Sequence, residues 1–111
     1  MATTLDNIRS QMRKGMLEFC VLLLLRQRDA YASEMIDRLK AARMIVVEGT
    51  LYPLLTRLKK DGLLSYRWEE STQGPPRKYY KLAPVGEEFL NELSLAWQEM
   101  ATSVSILLEK K

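Results

Sequence analysis

From Asp6 to about Arg28 the chain has no proline, and its second half is apolar on every side: Met16, Leu17, Phe19, Cys20 and Val21, then Leu22 to Leu25. The pattern predicts a helix, and a helix apolar all round is buried all round. In a chain of 111 residues that implies contact with a partner as well as with the chain's own core. Glu18 is the only charge between Gly15 and Leu25. It reads as a solvated edge, an ion pair, or an acid placed to meet a cationic ligand. Asp29-Ala30 is a short break. A second helix is predicted over Tyr31–Ala42, where Tyr31, Met35, Ile36 and Leu39 share one face.

Met44–Val47 is an apolar connector, and Gly49–Lys60 reads as a third helix. Leu51, Leu54, Leu55 and Leu58 form its buried stripe. The opposite face offers Thr50, Tyr52, Pro53, Thr56, Arg57, Lys59 and Lys60. Pro53 is tolerable if it falls in the first turn, where N–H groups lack partners anyway. Gly62 stands where helices stop. Leu64, Tyr66 and Trp68 alternate with Ser65, Arg67 and Glu69, which predicts a half-buried strand. Ser71–Pro76 is a turn-rich stretch expected to interrupt pairing. Arg77–Leu82 is the second strand of a hairpin whose tip ends in Arg77-Lys78.

Pro84–Lys111 reads as the last helix, with proline near its start. Leu90, Leu93, Trp97, Met100, Val104 and Leu107 recur at steps of 3, 4, 3, 4 and 3, a heptad seam that needs a facing helix. The apolar first helix, with Phe19 and Leu22, or its copy in a second subunit, is the candidate. These eight residues are the expected dimer interface.

Composition narrows the chemistry more than the fold. Apolar residues make up 47% and charged ones 28%, ordinary for a folded domain. There is no histidine and one cysteine, which excludes Cys/His zinc sites, a Ser-His-Asp triad and an intrachain disulfide framework. No metal, cofactor or catalytic constellation is expected, so the chain does not read as an enzyme. Cys20, in an apolar run, reads as a small hydrophobe in a reduced, cytoplasmic setting. The longest apolar run, Phe19–Leu25, has seven residues, far short of the roughly 20 a membrane span needs, and no signal peptide fits.

The charge distribution says more than the net of +3. Residues 1–82 carry a net +6 and residues 83–111 a net −3. A basic body suggests an anionic partner. The order helix, helix, helix, hairpin, helix is that of a winged helix-turn-helix, in which the second helix of the pair enters the DNA major groove and the hairpin is the wing. The expected fold is therefore α+β and mostly helical. Residues 1–83 would form the DNA-binding domain and residues 84–111 a C-terminal dimerisation helix. Arg57, Lys59, Lys60, Arg77 and Lys78 can neutralise phosphates. Thr50, Tyr52 and Thr56 can give hydroxyl contacts, and Pro53 and the threonine methyls can touch thymine methyls. The leading expectation is a DNA-binding regulator; the alternative is a winged-helix module for protein–protein interaction.

The string Gly49-Thr50-Leu51-Tyr52-Pro53-Leu54-Leu55-Thr56-Arg57-Leu58, then Asp61-Gly62-Leu63-Leu64, Arg77-Lys78-Tyr79-Tyr80-Lys81-Leu82 and Gly86 closely resembles the PadR family of bacterial transcriptional regulators. The single C-terminal helix resembles the short subfamily. The resemblance implies a homodimeric repressor on double-stranded DNA with an inverted-repeat operator, dimerising through the last helix on the partner's first helix. It implies that Thr50 and Tyr52 approach the major groove and that the Gly74–Lys78 wing touches the backbone. Two positions depart from the family pattern. Tyr31-Ala32 stands where members often have Tyr-Gly, and the wing tip Gly74-Pro75-Pro76-Arg77 has a proline where members often carry another basic residue. In the drug-binding branch, a tryptophan at the point matching Trp97 stacks on flat aromatic compounds. Trp97 is thus either dimer core or one wall of a site for a planar aromatic effector, with Met100 as an adaptable wall and Glu18 available to a cationic one.

Overall fold

The computed structural model describes residues 3–110. In chain order these form α1 (Thr4–Gln27), α2 (Ala32–Ala41), α3 (Glu48–Lys60), β1 (Leu64–Ser71), β2 (Gly74–Leu82) and α4 (Pro84–Glu109). The architecture is the mostly helical α+β arrangement expected, with a hairpin wing and a long C-terminal helix. Lys111, placed in the last helix from its periodicity, lies outside the described residues.

Local chemistry sets the helix ends. At the start of α1 the Thr3 hydroxyl accepts from the Asp6 N–H at 3.1 Å, and the Asp6 carboxylate accepts from the Thr3 N–H at 3.4 Å. This reciprocal box satisfies two donors that the helix leaves orphaned, and it moves the start two residues ahead of the expected Asp6. Helices α2 and α3 stop in the same way. The Met44 N–H reaches the Leu39 carbonyl at 2.7 Å and the Leu63 N–H reaches Leu58 at 3.0 Å. Each stop needs a left-handed residue one place earlier. Gly62 supplies it at φ +80°, but at the other stop it is Arg43, at φ +63°.

The core is built where the apolar faces of α1, α2 and α3 meet β2 and the first turns of α4. Leu22, Met35, Leu39, Leu51, Leu55 and Leu90 are fully buried, and among the described residues no polar or charged residue is buried with them. Burying one such side chain contributes about 1.5–3 kcal/mol. Gly86 fixes where α4 starts. The Ala83 N–H donates to the Leu63 carbonyl at 2.9 Å, and a Cβ on Gly86 would lie 2.2 Å from that same oxygen. Only a residue without a side chain lets the helix approach this strand end so closely.

The hairpin differs from expectation in three ways. First, β2 begins at Gly74, so the stretch expected to break the ladder is mostly strand. Ser71 pairs with Gly74 and Glu69 with Arg77, so one residue of β1, Glu70, faces Pro75 and Pro76 of β2. That bulge is what admits two residues without N–H donors. Second, the strand Leu64–Glu69 is not half-buried. Leu64 is buried, while Tyr66 and Trp68 are 38% and 62% exposed. Third, Asp29-Ala30 is more than a break. Ala30 and Tyr80 exchange backbone hydrogen bonds at 3.2 and 2.8 Å, so β2 is flanked on both sides and the wing is tied to the α1–α2 connection.

Candidate nucleic-acid interface

Helix α3 presents its leucine stripe inward, with Leu51 and Leu55 fully buried, so the opposite face is exposed by helical geometry. Tyr52, Pro53, Thr56 and Lys60 lie on this open face. Pro53 is the sixth helical residue, in the second turn and not the first as expected. Its missing N–H leaves the Gly49 carbonyl to solvent, and both residues are exposed, so water replaces the lost bond. The Thr56 hydroxyl donates to the Tyr52 carbonyl at 3.0 Å, which turns its methyl and its remaining lone pairs outward.

The two flanks of α3 meet different neighbours. Toward α1, Thr50 borders a notch shared with Arg13 and Lys14, and Arg57 is ion-paired with Glu18. Of the three readings open for Glu18, the structure supports the ion pair. Toward the hairpin, Lys59 lies over the Tyr66 ring with its Nζ 4.6 Å from the centroid. From β2, Lys78 lies over the same ring at 4.0 Å, and Arg77 over Tyr31 at 4.6 Å. Cations over aromatic faces are held in place without being neutralised. Among the described residues no carboxylate lies within ion-pair distance of Lys59, Lys60, Arg77 or Lys78. A groove of about 300 Å³ is lined by Tyr31, Tyr52, Trp68, Pro76, Arg77 and Lys78. Helix face, groove and wing thus form one continuous surface of cations, hydroxyls and exposed rings, which suits a phosphodiester backbone.

Sequence reasoning passed over Tyr66 and Trp68, which carry the rings of this surface. The available signal was the hairpin's isolation: no predicted helix remained to cover the outer part of the apolar face that Leu64, Tyr66 and Trp68 share. It also passed over Arg67, whose guanidinium pairs with Asp29 and with Glu69. These carboxylates hold its proton still more firmly than usual, and the Asp29 pair joins β1 to the α1–α2 connection.

The seam residues divide. Leu22 and Leu90 are wholly inside the chain's own core, and Phe19 is nearly so. Their places are taken by intrachain packing, which a heptad count does not register. Leu93 is half-buried, whereas Trp97, Met100, Val104 and Leu107 remain exposed, Trp97 at 45%. Trp97 approaches Phe19 with ring centroids 6.5 Å apart. Beyond it, α1 and α4 diverge and leave an apolar cleft of about 610 Å³ lined by Met12, Met16, Trp97, Met100 and Val104. Glu18 lies at a smaller recess of the same cleft, beside Phe19, Leu93 and Trp97. Burial pushes the Cys20 thiol above its ordinary value, in keeping with a packing role. Among the described residues no three His, Cys, Asp or Glu side chains gather as metal ligands, and no helix is long and apolar enough to cross a membrane.

Comparison with known proteins places this geometry. A family model described as the transcriptional regulator PadR-like family matches residues 21–92. The X-ray structure of a PadR-like transcription factor from Bacteroides fragilis is 66% identical, covers 92% of this chain and 99% of that one, and superposes with a TM-score of 0.76. The crystal structure of a PadR family transcriptional regulator from Eggerthella lenta is 34% identical, covers 99% and 100%, and has a TM-score of 0.84. The transcriptional regulator Rv3488 of Mycobacterium tuberculosis is 41% identical over 59 residues, 53% of this chain and 54% of that protein.

Proposed function

The chain belongs to the PadR-like family of transcriptional regulators, which bind DNA, typically as dimers, and on that premise we propose that it is a homodimeric repressor released by a small molecule at the dimer interface. In this reading α3 enters the major groove with Thr50, Tyr52, Pro53 and Thr56, while Lys59 and Lys60 meet phosphates and Arg57, ion-paired with Glu18 in the free chain, can join them when that pair opens. Arg77 and Lys78 on the wing follow the backbone. The chain folds as a winged helix-turn-helix body, residues 1–83, that carries a dimerisation helix, residues 84–111. Leu93, Trp97, Met100, Val104 and Leu107 meet the partner's α1, and two-fold symmetry matches an inverted-repeat operator.

The observation that carries the proposal is the apolar cleft. Met12, Met16, Trp97, Met100 and Val104 surround about 610 Å³, on faces of α1 and α4 that stay exposed in the single chain. A second chain laid on those faces would roof the cleft, with Trp97 and three methionines in its walls. That space suits a planar aromatic compound. Its occupant acts on DNA only by favouring one spacing of the two recognition helices over another.

The test titrates a Trp68→Phe variant, whose remaining tryptophan is Trp97, with planar aromatic compounds and with duplex DNA from upstream of its own gene. Quenching of Trp97 coupled to weaker DNA binding is the expected result. DNA binding with no response from Trp97 overturns the effector and keeps the DNA-binding regulator. Sedimentation as a monomer at micromolar concentration overturns the dimer.

A further inference from the structure

Arg57 is the cation of α3 nearest α1, and it is the only one of the helix's three cations whose charge is met by a carboxylate. Its partner, Glu18, is the single charge in the otherwise apolar stretch from Gly15 to Leu25. An acid at that place on α1 is costly to explain by solubility alone, because its neighbours in the helix face the core. The pair is not buried: the Arg57 and Glu18 side chains are 58% and 39% exposed. Exposed pairs contribute little to stability, since solvent screens them and two long side chains must be ordered. The contact therefore does little to hold the fold together. It does remove one positive charge from the flank of the helix that meets DNA.

We propose that Glu18 sets the DNA affinity of this protein by holding Arg57 off the phosphate backbone. The inference rests on α3 being the helix that meets DNA. Lys59 and Lys60, lacking carboxylate partners, supply the electrostatic attraction of α3. Arg57 adds to it only when Glu18 lets go. Each phosphate neutralised releases condensed counterions and steepens the dependence of log K on log salt by about 0.9. A masked arginine contributes no such increment. The residue that pairs with Arg57 also borders the small recess beside Phe19 and Trp97.

The experiment measures binding to a short duplex of arbitrary sequence by fluorescence anisotropy over a salt series. Wild type is compared with Glu18→Gln, Arg57→Gln and the double variant. Glu18→Gln keeps the shape and removes the charge. The expected result is binding about two- to fivefold tighter at low salt, the range an exposed ion pair supports, with a slope steeper by up to about 0.9. Arg57→Gln is expected to change affinity less than twofold, and the double variant is expected to match it. Glu18→Met, which suits the apolar helix, is expected to repeat the gain, so a folding defect in one variant does not decide the matter. Unchanged or weaker binding by both Glu18 variants overturns the inference. So does a gain that persists in the double variant, which marks a general loss of negative charge instead of a released Arg57. Wild type that binds no duplex even at low salt overturns the DNA-contact reading of α3 itself. That failure is distinct from wild type that binds while Glu18→Gln changes nothing.

Discussion

Around Leu90, α4 is part of the core; from Trp97 onward the same helix shows Met100, Val104, Ile106, Leu107 and Leu108 to solvent. Helix α1 does the reverse. Its N-terminal half exposes Leu5, Ile8 and Met12, and its C-terminal half buries Leu17, Val21, Leu22 and Leu25. The two helices therefore cross the core with one end each and leave their other ends unpartnered, side by side. The face of α3 and the wing is equally exposed, but it shows lysines, hydroxyls and rings. Exposed apolar helix faces of this extent mark a surface for another protein surface, while exposed unpaired cations mark one for an anion. A heptad seam can thus serve intrachain packing at one end and leave an apolar face open to association at the other.

One substitution in the core of the body and one at the distal part of the seam would separate the two regions most visibly. Leu55→Ala in the body is expected to lower unfolding stability by about 2–5 kcal/mol, because a fully buried leucine leaves a cavity. Val104→Ala, at a position 54% exposed, is expected to cost under about 0.5 kcal/mol in dilute protein. Denaturant titration at low concentration separates them. Equal losses would mean that the distal part of α4 is as integral to the fold as the core.

Gly86→Ala is next in size. The new methyl would meet the Leu63 carbonyl and a Leu82 methyl, and overpacking of this kind costs about 1–3 kcal/mol. The start of α4 must then shift, so Trp97 emission is expected to change with it. A stable variant with unchanged Trp97 emission would show that α4 is positioned by its leucines alone.

Cys20 probes the packing of α1 against the core. Its thiol is held above the ordinary value by burial, so alkylation at mildly alkaline pH is expected to be slower than for a free thiol and to accelerate on unfolding. The sign for stability follows. The folded state holds the thiol proton more tightly, so this contribution is present below the ordinary thiol value and is lost as pH rises toward the raised one. Cys20→Ser is expected to remove that part of the pH dependence, checked by thermal melts across the alkaline range.

The smallest effect lies in the helix-turn-helix corner. Arg43 occupies a left-handed conformation that costs a side-chain-bearing residue about 1 kcal/mol. Arg43→Gly is expected to raise unfolding stability by up to about 1 kcal/mol, less the extra freedom glycine has when unfolded. A loss of stability would show that the arginine side chain holds the turn in a way its exposed position does not suggest.

Much of this was legible in the residues. The leucine spacing of α3, the stop at Gly62, the alternation of β1 and the proline at the head of α4 are local signals, governed by helix and strand periods and by backbone sterics. Together with the element order they determined the winged helix-turn-helix, the choice of α3 as the helix turned toward DNA, and the cations on its face. The remainder came from three-dimensional packing, because it depends on groups far apart in the chain. Packing paired Ala30 with Tyr80, admitted Pro75 and Pro76 through a bulge, left Tyr66 and Trp68 uncovered, and set Glu18 against Arg57. It also consumed Leu22 and Leu90 in the core while leaving Trp97 at the edge of a cleft. Periodicity states which side of a helix is apolar. Which neighbour covers that side, and how far along, depends on the lengths and crossing of helices packed together, and no local pattern contains that information.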